Sequence, residues 1–291
     1  MMRGWGVVLA ALLLSQAALA SEWSSARRPS PGPARAIGSP AAGCVAGAEA
    51  LPFDGQGFQV VRIARNRYYG HPRLIAFVRS LGRAARDAGL ETFYVGDLSQ
   101  PRGGPADYGH ASHQNGLDVD IWYTLAPKPF LPPDRRETIE TPSAVTENGL
   151  EVVPGVWNRG VARLLEIAAR SPGVERIFVN GAIKRHLCRT VAGDRSWLRL
   201  IRPWYFHDAH FHVRLNCPPG DETCVPGNPI PQGDGCDSSL DRWLQPDVRA
   251  LRPPPPGTKR KKPAPRLPDE CASLNPSSVP PPQGRKRTGR D

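Results

Sequence analysis

The sequence predicts an α+β fold for most of this 291-residue chain. Two segments have the 3.6-residue periodicity of amphipathic helices, and several shorter segments have the apolar content or alternation of β-strands. These elements do not follow the regular strand–helix–strand rhythm of a parallel α/β protein, so an α+β architecture is the better prediction. The length allows one large domain or two small ones, with enough residues to bury a core.

Residues 1–20 are predicted to be a cleavable secretory signal. A single basic residue, Arg3, precedes the apolar run WGVVLAALLL, and the segment ends in the small-residue pattern Ala-Leu-Ala. The run is too short to span a bilayer, and an amphipathic or core helix is the alternative. We therefore expect an exported, periplasmic protein without a transmembrane segment. Its mature part is predicted to be one domain over residues 21–250, with a Pro/Gly-rich lead at 21–43.

The first helix is predicted within residues 71–90, where apolar side chains recur on one helical stripe. Pro72 suits the first helical turn and Gly89 suits the end of the helix. The segment TFYVGDL after this helix is predicted to be a strand. Further elements are predicted in this order: a strand at 117–125, a helix at 157–170, a strand at 176–180, a short helix at 194–204 and a strand at 209–215.

Six cysteines in an exported chain indicate disulfide bonds. They are Cys44, Cys188, Cys217, Cys224, Cys236 and Cys271. Six cysteines permit fifteen pairings, and the sequence alone does not choose among them. No two of them form a Cys-x-x-Cys pair, so a thiolate zinc site is the weaker interpretation.

The chain has a net charge of +11, and much of it lies in a basic C-terminal tail. Residues 251–291 carry ten Lys or Arg against three acidic residues and are rich in proline, so we expect them to stay extended or disordered. Such a tail attracts polyanions such as cell-wall polymers, although a merely solubilising tail is an equal alternative. No specific nucleic-acid partner is expected.

The segment HDAHFHVRL places two histidines on one face of a predicted strand. Alternate residues of a strand share a face, so His210 and His212 point the same way while Phe211 points into the core. One imidazole can then hold a metal ion while the other handles protons. A pair of surface histidines is the alternative if this segment is considered alone.

The segment GHASHQNGLDVDIW brings a histidine and two aspartates together. His113 lies before an Asn-Gly turn, and Asp118 and Asp120 share one face of the strand that follows. A carboxylate in an apolar strand needs a partner because a buried unpaired charge is very costly. A divalent metal is such a partner for Asp120, whereas pairing with an arginine is a fair alternative for Asp118.

His113, Asp120 and one histidine of the second segment make a His-Asp-His set. Three protein ligands plus a water are typical of a catalytic zinc, whereas a structural zinc is closed by four protein ligands. Catalytic zinc lowers the pKa of its water to about 7. The sequence therefore predicts a metal centre with one open position, at which remaining histidines accept protons.

These two segments resemble the penicillin-insensitive murein endopeptidases. The resemblance is carried by GHASHQNGLDVDIW and RPWYFHDAHFHVRLNCP, with PRGGP, RIFVN and GDGC in addition, and it extends from about residue 44 to 271. The family belongs to a zinc peptidase superfamily that includes lysostaphin-type enzymes, D-Ala-D-Ala metallopeptidases and the Hedgehog signalling domain.

The resemblance implies a compact α+β fold around a small antiparallel sheet with flanking helices. It also implies one Zn²⁺ and cleavage of the D-alanyl–meso-diaminopimelyl cross-link of peptidoglycan, without a covalent acyl-enzyme and hence without inhibition by penicillin. The roles that it implies are zinc ligands at His113, Asp120 and His212, with His110 close enough to join them, a general base at His210 and a second active-site imidazole at His207.

The resemblance also implies the disulfides Cys44–Cys271, Cys188–Cys236 and Cys217–Cys224. Some relatives bind a second zinc through an Asp and a His, which would fall near Glu147 and Leu150 here, so a second metal is not expected.

Three further questions stay open on the sequence. Arg102 could bind a stem-peptide carboxylate, or it could simply be a solvated loop residue. A D-Ala-D-Ala dipeptidase or carboxypeptidase and a non-catalytic wall-binding module are the alternative functions. The oligomeric state is also open, a homodimer included. His71 and His186 are predicted to be structural.

Overall fold

The computed structural model describes residues 22–126, 130–249 and 266–278. The predicted secretory signal and most of the predicted basic tail lie outside the described residues. Within these ranges no helix is long and apolar enough to cross a membrane.

The described chain contains eleven β-strands, most of which belong to one sheet. In chain order they are β1 (Arg35–Ser39), β2 (Ala42–Ala46), β3 (Glu49–Ala50), β4 (Asp54–Gly55), β5 (Phe58–Val60), β6 (Tyr69–Gly70), β7 (Phe93–Val95), β8 (Asp118–Leu125), β9 (Val174–Val179), β10 (Ile201–Pro203) and β11 (His210–Leu215). The main sheet has the strand order β10-β9-β11-β8-β7-β5-β4. The pairs β1-β2 and β3-β6 form two small additional sheets.

Four α-helices accompany these strands. They are α1 (Pro72–Asp87), α2 (Pro133–Glu137), α3 (Arg159–Arg170) and α4 (Gly181–Thr190). As predicted, α1 begins at Pro72, and the Nδ1 of His71 accepts a hydrogen bond from the backbone N–H of Arg73. The short helix predicted at 194–204 is a 3₁₀ turn at Ser196–Leu200, which leads into β10.

The α+β prediction is confirmed, but the main sheet is larger than expected and is not purely antiparallel. Its centre, β9-β11-β8-β7, is antiparallel. On one side β5 runs parallel to β7, and on the other β10 runs parallel to β9. A parallel pair needs a crossover, and α1 and α4 supply one each. The predicted elements omitted β5, which has three residues, and α4, so neither crossover was predicted.

The Pro/Gly-rich lead is more ordered than the sequence indicates, because β1 and β2 form a hairpin within it. Ile37 and Cys44 of this hairpin are fully buried. The hairpin also holds the loop that carries His113, since Pro40 and Gly38 accept hydrogen bonds from Gln114 N and Asn115 Nδ2. The lead is therefore part of the scaffold of the candidate site.

All three disulfides are those implied by the resemblance. Cys44 is joined to Cys271, Cys188 to Cys236, and Cys217 to Cys224. The first ties β2 to the 3₁₀ segment Asp269–Leu274, and the last closes a loop two residues after β11. No described cysteine is free.

We expect loss of the Cys44–Cys271 bond to destabilise the protein more than loss of the Cys217–Cys224 bond. The two bonds span 227 and 7 positions, and in the chain-entropy model their contributions are about 5 and about 2.5 kcal/mol. Free energies of unfolding of the two double Cys→Ser variants in urea measure this difference. Equal losses would contradict it.

Candidate functional site

Two neighbouring strands bring the two histidine-containing segments together. β8 and β11 pair antiparallel, with Asp120 opposite His212, Asp118 opposite Arg214 and Trp122 opposite His210. Alternate residues share a face, so these polar side chains line one face of the sheet. Phe211 and Val213 lie on the other face and are fully buried in the main core. The predicted orientation of the His210–Phe211–His212 segment is confirmed.

One carboxylate oxygen, Oδ1 of Asp120, lies at the centre of this cluster. It is 3.4 Å from His113 Nε2, 3.3 Å from His212 Nδ1 and 3.5 Å from His210 Nε2. The other oxygen, Oδ2, lies 3.5 Å from His110 Nε2. Four of the six histidines after His71 therefore converge on a single aspartate.

Several atoms of the cluster are buried without a hydrogen-bond partner. They are Asp120 Oδ1, both ring nitrogens of His113, and His212 Nε2. Orphaned buried polar atoms of this kind are rare and indicate a bound partner such as an ion or a water. Ligand atoms 2.0–2.1 Å from a tetrahedral zinc lie about 3.3–3.4 Å apart, close to the separations around Asp120 Oδ1. The residues present therefore fit a divalent metal ion.

Two overlapping sets of side chains meet the spacing of a metal site. They are His110 with His113 and Asp120, and His113 with Asp118 and His212. Asp118 is the poorer ligand because its two oxygens are already engaged. Arg214 donates to both of them, at 2.8 and 2.9 Å, and the backbone N–H of His113 donates to Oδ2 at 3.1 Å. The alternative of an arginine partner for Asp118 is confirmed.

Asp118 also positions His212. Its Oδ2 lies 3.2 Å from His212 Nε2, which is a close approach rather than an aligned hydrogen bond, and leaves Nδ1 directed at Asp120. A carboxylate behind a ligating imidazole fixes the ring and its tautomer. Asp118 is thus placed to hold both His113 and His212.

The protonation states of the cluster suit metal binding. Burial raises the pKa of Asp118 and Asp120, but the interactions of Asp118 with Arg214 and His212, and of Asp120 with His210 and His113, outweigh burial, so both pKa values lie well below the usual range. Burial lowers the pKa of His212 to about 4. Anionic carboxylates and a neutral imidazole are the forms that bind a cation.

The cluster is closed on one side and open on the other. The side chains of His113, His212 and Asp120 are only 3–4% exposed, whereas those of His110 and His210 are 22% and 21% exposed. A substrate must therefore approach on the side of His110 and His210.

His207 completes the imidazole cluster from a strained turn. Its Nδ1 lies 2.7 Å from the carbonyl of Tyr205, so Nδ1 carries a proton and the neutral ring keeps its lone pair on Nε2. The ring centroid is 5.1 Å from that of His210. Burial, and next the neighbouring His210, lowers the pKa of His207 to about 4.

Asp97, a residue that the sequence analysis missed, organises the open side. Its Oδ2 lies 3.0 Å from His110 Nε2 and 3.0 Å from Arg67, and Arg65 lies 3.2 Å away. Burial raises the pKa of Asp97, but the contacts with His110 and Arg65 outweigh burial, so the pKa is lowered to about 2. Its position inside the predicted strand segment TFYVGDL, two residues after β7, was the available signal.

Five non-glycine residues of the described ranges have a positive φ: Arg62 (54°), Asn66 (56°), His113 (68°), Phe206 (61°) and His207 (48°). Two of them, His113 and His207, belong to this site. Such backbone conformations cost of order 1–3 kcal/mol each and cluster at functional sites. The strained segments include the 3₁₀ turn Ile63–Arg65, which Arg62 and Asn66 cap.

The remaining predicted residues lie apart from the cluster. Arg102 donates to the carbonyls of Arg28 and Leu274, which are not part of it. Glu147 is exposed and belongs to neither metal-binding set. His71 caps α1, and His186 packs against Trp157.

We expect Asp118→Asn to lower the affinity for a divalent metal by about 10- to 100-fold, because an amide cannot pair with Arg214 or hold His212 equally well. Asp221→Asn is a matched control, since Asp221 is a buried carboxylate beside His71 and the Ala36 N–H, away from the cluster. Chelator competition, on protein shown to be folded by circular dichroism, measures the difference. Unchanged affinity in Asp118→Asn would refute the positioning role.

Comparisons with known proteins agree with this geometry. Residues 36–275 match the model of a family described as "Penicillin-insensitive murein endopeptidase". Proteins of that name from Klebsiella pneumoniae subsp. pneumoniae and from Salmonella newport are 41% and 42% identical over 274 and 276 residues, which is 94% of this chain and 98% of each relative. One from Haemophilus influenzae is 45% identical over 248 residues, 83% of either chain. The chain therefore belongs to the penicillin-insensitive murein endopeptidase family.

Proposed function

We propose that the protein is a zinc endopeptidase that hydrolyses the D-alanyl–meso-diaminopimelyl cross-link of peptidoglycan. The observation that carries the proposal is the convergence of three imidazole nitrogens on the buried, unpartnered Oδ1 of Asp120. The names of the relatives supply the substrate class, since each is called a murein endopeptidase.

We assign His113, Asp120 and His212 as the metal ligands, through Nε2, Oδ1 and Nδ1. These three side chains are buried, and Asp118 supports both histidines. A mixed His and carboxylate set suits Zn²⁺. His110 lies beside the set, but its Nε2 is closer to Asp97 than to Asp120, so we place it outside the three ligands.

When bound, the cation supplies polarisation of the scissile carbonyl and activation of the attacking water. His210 is the general base, because its Nε2 faces the metal ligands from the open side of the cluster. It takes a proton from the attacking water and delivers it to the amide nitrogen as the C–N bond breaks. The products are the D-alanyl carboxylate and the free amine.

His207 lies next to His210 and assists the proposed base. Because Nδ1 donates to Tyr205, the neutral ring presents a lone pair rather than an N–H at Nε2. His207 can therefore orient the base or accept a proton temporarily. Without an N–H at Nε2 it cannot donate directly to a developing oxyanion.

We propose a periplasmic location and a role for the tail in wall binding. Three disulfides fit an oxidising compartment, as does the predicted signal. In this proposal residues 21–250 are the catalytic domain, and residues 251–291 are a basic segment, fixed to it through Cys271, that interacts with anionic wall polymers.

Mass spectrometry of purified dimeric muropeptide tests the proposed reaction. We expect monomers to be released by the mature protein, to disappear with chelator, to return with Zn²⁺ and to be unaffected by penicillin. An intact dimer with zinc bound in the protein would refute the endopeptidase assignment. Cleavage of monomeric stem peptides or of D-Ala-D-Ala would then favour the dipeptidase or carboxypeptidase alternative, and no cleavage at all a wall-binding module.

We expect His210→Ala to keep its zinc and lose about 10²- to 10⁴-fold in kcat/KM, because only proton transfer is removed. His212→Ala should lose zinc and activity together. His186→Ala, outside the cluster, should retain both. Metal analysis and turnover of the same preparations distinguish these outcomes, and loss of zinc in His210→Ala would show that the roles of His210 and His212 are exchanged.

A further inference from the structure

Arg62 is a guanidinium at the edge of the cluster without an acidic partner. Its Cζ lies 4.8 Å from the centroid of the Trp122 ring, a cation–π arrangement. No carboxylate of the described residues lies within 4.0 Å of it, and its one side-chain hydrogen bond is a long one of 3.5 Å to Thr141.

The other arginines near the cluster each contact a carboxylate. Arg65 and Arg67 both contact Asp97, and Arg214 pairs with Asp118 through two hydrogen bonds. Arg62 is half-buried, so it lacks the full solvation of a surface arginine. Burial, and next the repulsion by Arg65, lowers the pKa of Arg62. Asp97 and Glu137 attract Arg62 at longer range, but a partly desolvated guanidinium with no described carboxylate in contact is a natural site for an anion.

Trp122 connects Arg62 to the reacting groups. Its ring centroid lies 5.6 Å from that of His210, its partner across the β8-β11 pair. Arg62 and His210 therefore both pack against the ring of Trp122, which places Arg62 near the proposed base. The backbone of Arg62 has a φ of 54°, a strained conformation that no other arginine of the described residues adopts.

The proposed substrate carries an anion next to the scissile bond. In a meso-diaminopimelyl cross-link, the carbon attached to the amide nitrogen also bears a free carboxylate. That carboxylate must lie within a few ångströms of the group that receives the proton from His210. Arg102, by contrast, is occupied by two backbone carbonyls.

We propose that Arg62 binds the free α-carboxylate on the amine side of the scissile amide and thereby selects cross-links whose leaving amine carries this group. The proposal rests on the proposed endopeptidase function and adds a specificity-determining residue to it. Trp122 holds the guanidinium in place, and the planar fork of arginine matches a carboxylate with two hydrogen bonds.

Two muropeptide dimers that differ only in this group test the proposal. One has the free α-carboxylate beside the cross-link, and in the other it is a primary amide. We expect the wild-type protein to prefer the free acid by about 10- to 100-fold in kcat/KM, the range of a charge-assisted hydrogen bond. Arg62→Asn, which tolerates the left-handed backbone, should cleave both dimers at the rate at which the wild type cleaves the amide.

Arg62→Lys should restore part of the preference, and Arg163→Gln, a change on the exposed face of α3, should leave it intact. Zinc content and melting temperature of each variant separate misfolding from loss of recognition. An Arg62→Asn variant that keeps the preference, or that loses activity equally on both dimers, overturns the proposal. A wild-type protein that cleaves neither dimer would instead refute the endopeptidase function itself.

Discussion

Two carboxylates on one face of β8, Asp118 and Asp120, are buried almost completely, and their charge must be compensated inside the protein. An unpaired buried charge would cost far more than the free energy of unfolding of an ordinary domain. The two residues solve the problem differently. Asp118 is satisfied by Arg214 and by the His113 N–H, whereas Asp120 Oδ1 faces only imidazoles. The charge of Asp118 is therefore compensated by protein groups alone, whereas the surroundings of Asp120 fit a bound cation.

The rest of the structure positions the groups that surround these two aspartates. The antiparallel centre of the sheet fixes the register that sets Asp120 opposite His212. The β1-β2 hairpin, tied by Cys44–Cys271, holds the loop that places His113 with a positive φ. The crossover helices α1 and α4 complete the margins of the sheet, away from the paired strands that carry the ligands. Asp120 and His212 thus lie on paired strands at the centre of the sheet, and His113 lies on a loop that the hairpin holds.

Much of the candidate site could be predicted from the sequence, because the alternation of residues along a strand and the residue types themselves indicate it. The face shared by His210 and His212, the split roles of Asp118 and Asp120, and the helix starting at Pro72 all follow from local pattern. The β1-β2 hairpin could not be predicted, since its Gly- and Ala-rich strands are stabilised by a disulfide between cysteines 227 positions apart and by hydrogen bonds with the loop of His113. Asp97 was missed for a similar reason, because its partners Arg65, Arg67 and His110 lie at distances along the chain that no local pattern spans.

The open side of the cluster shows how charge is arranged where a substrate must enter. Arg65, Arg67 and His110 share a single buried carboxylate there, Asp97, and Arg62 contacts no described carboxylate, so these side chains carry more positive than negative charge. On the closed side, by contrast, Arg214 and Asp118 balance one another. A positively charged rim of this kind attracts anionic groups, and Arg62, which caps the 3₁₀ turn Ile63–Arg65, lies over the ring of Trp122. An arginine that is already held in place loses less conformational entropy when it binds an anion. This gain offsets the cost of the positive φ at Arg62.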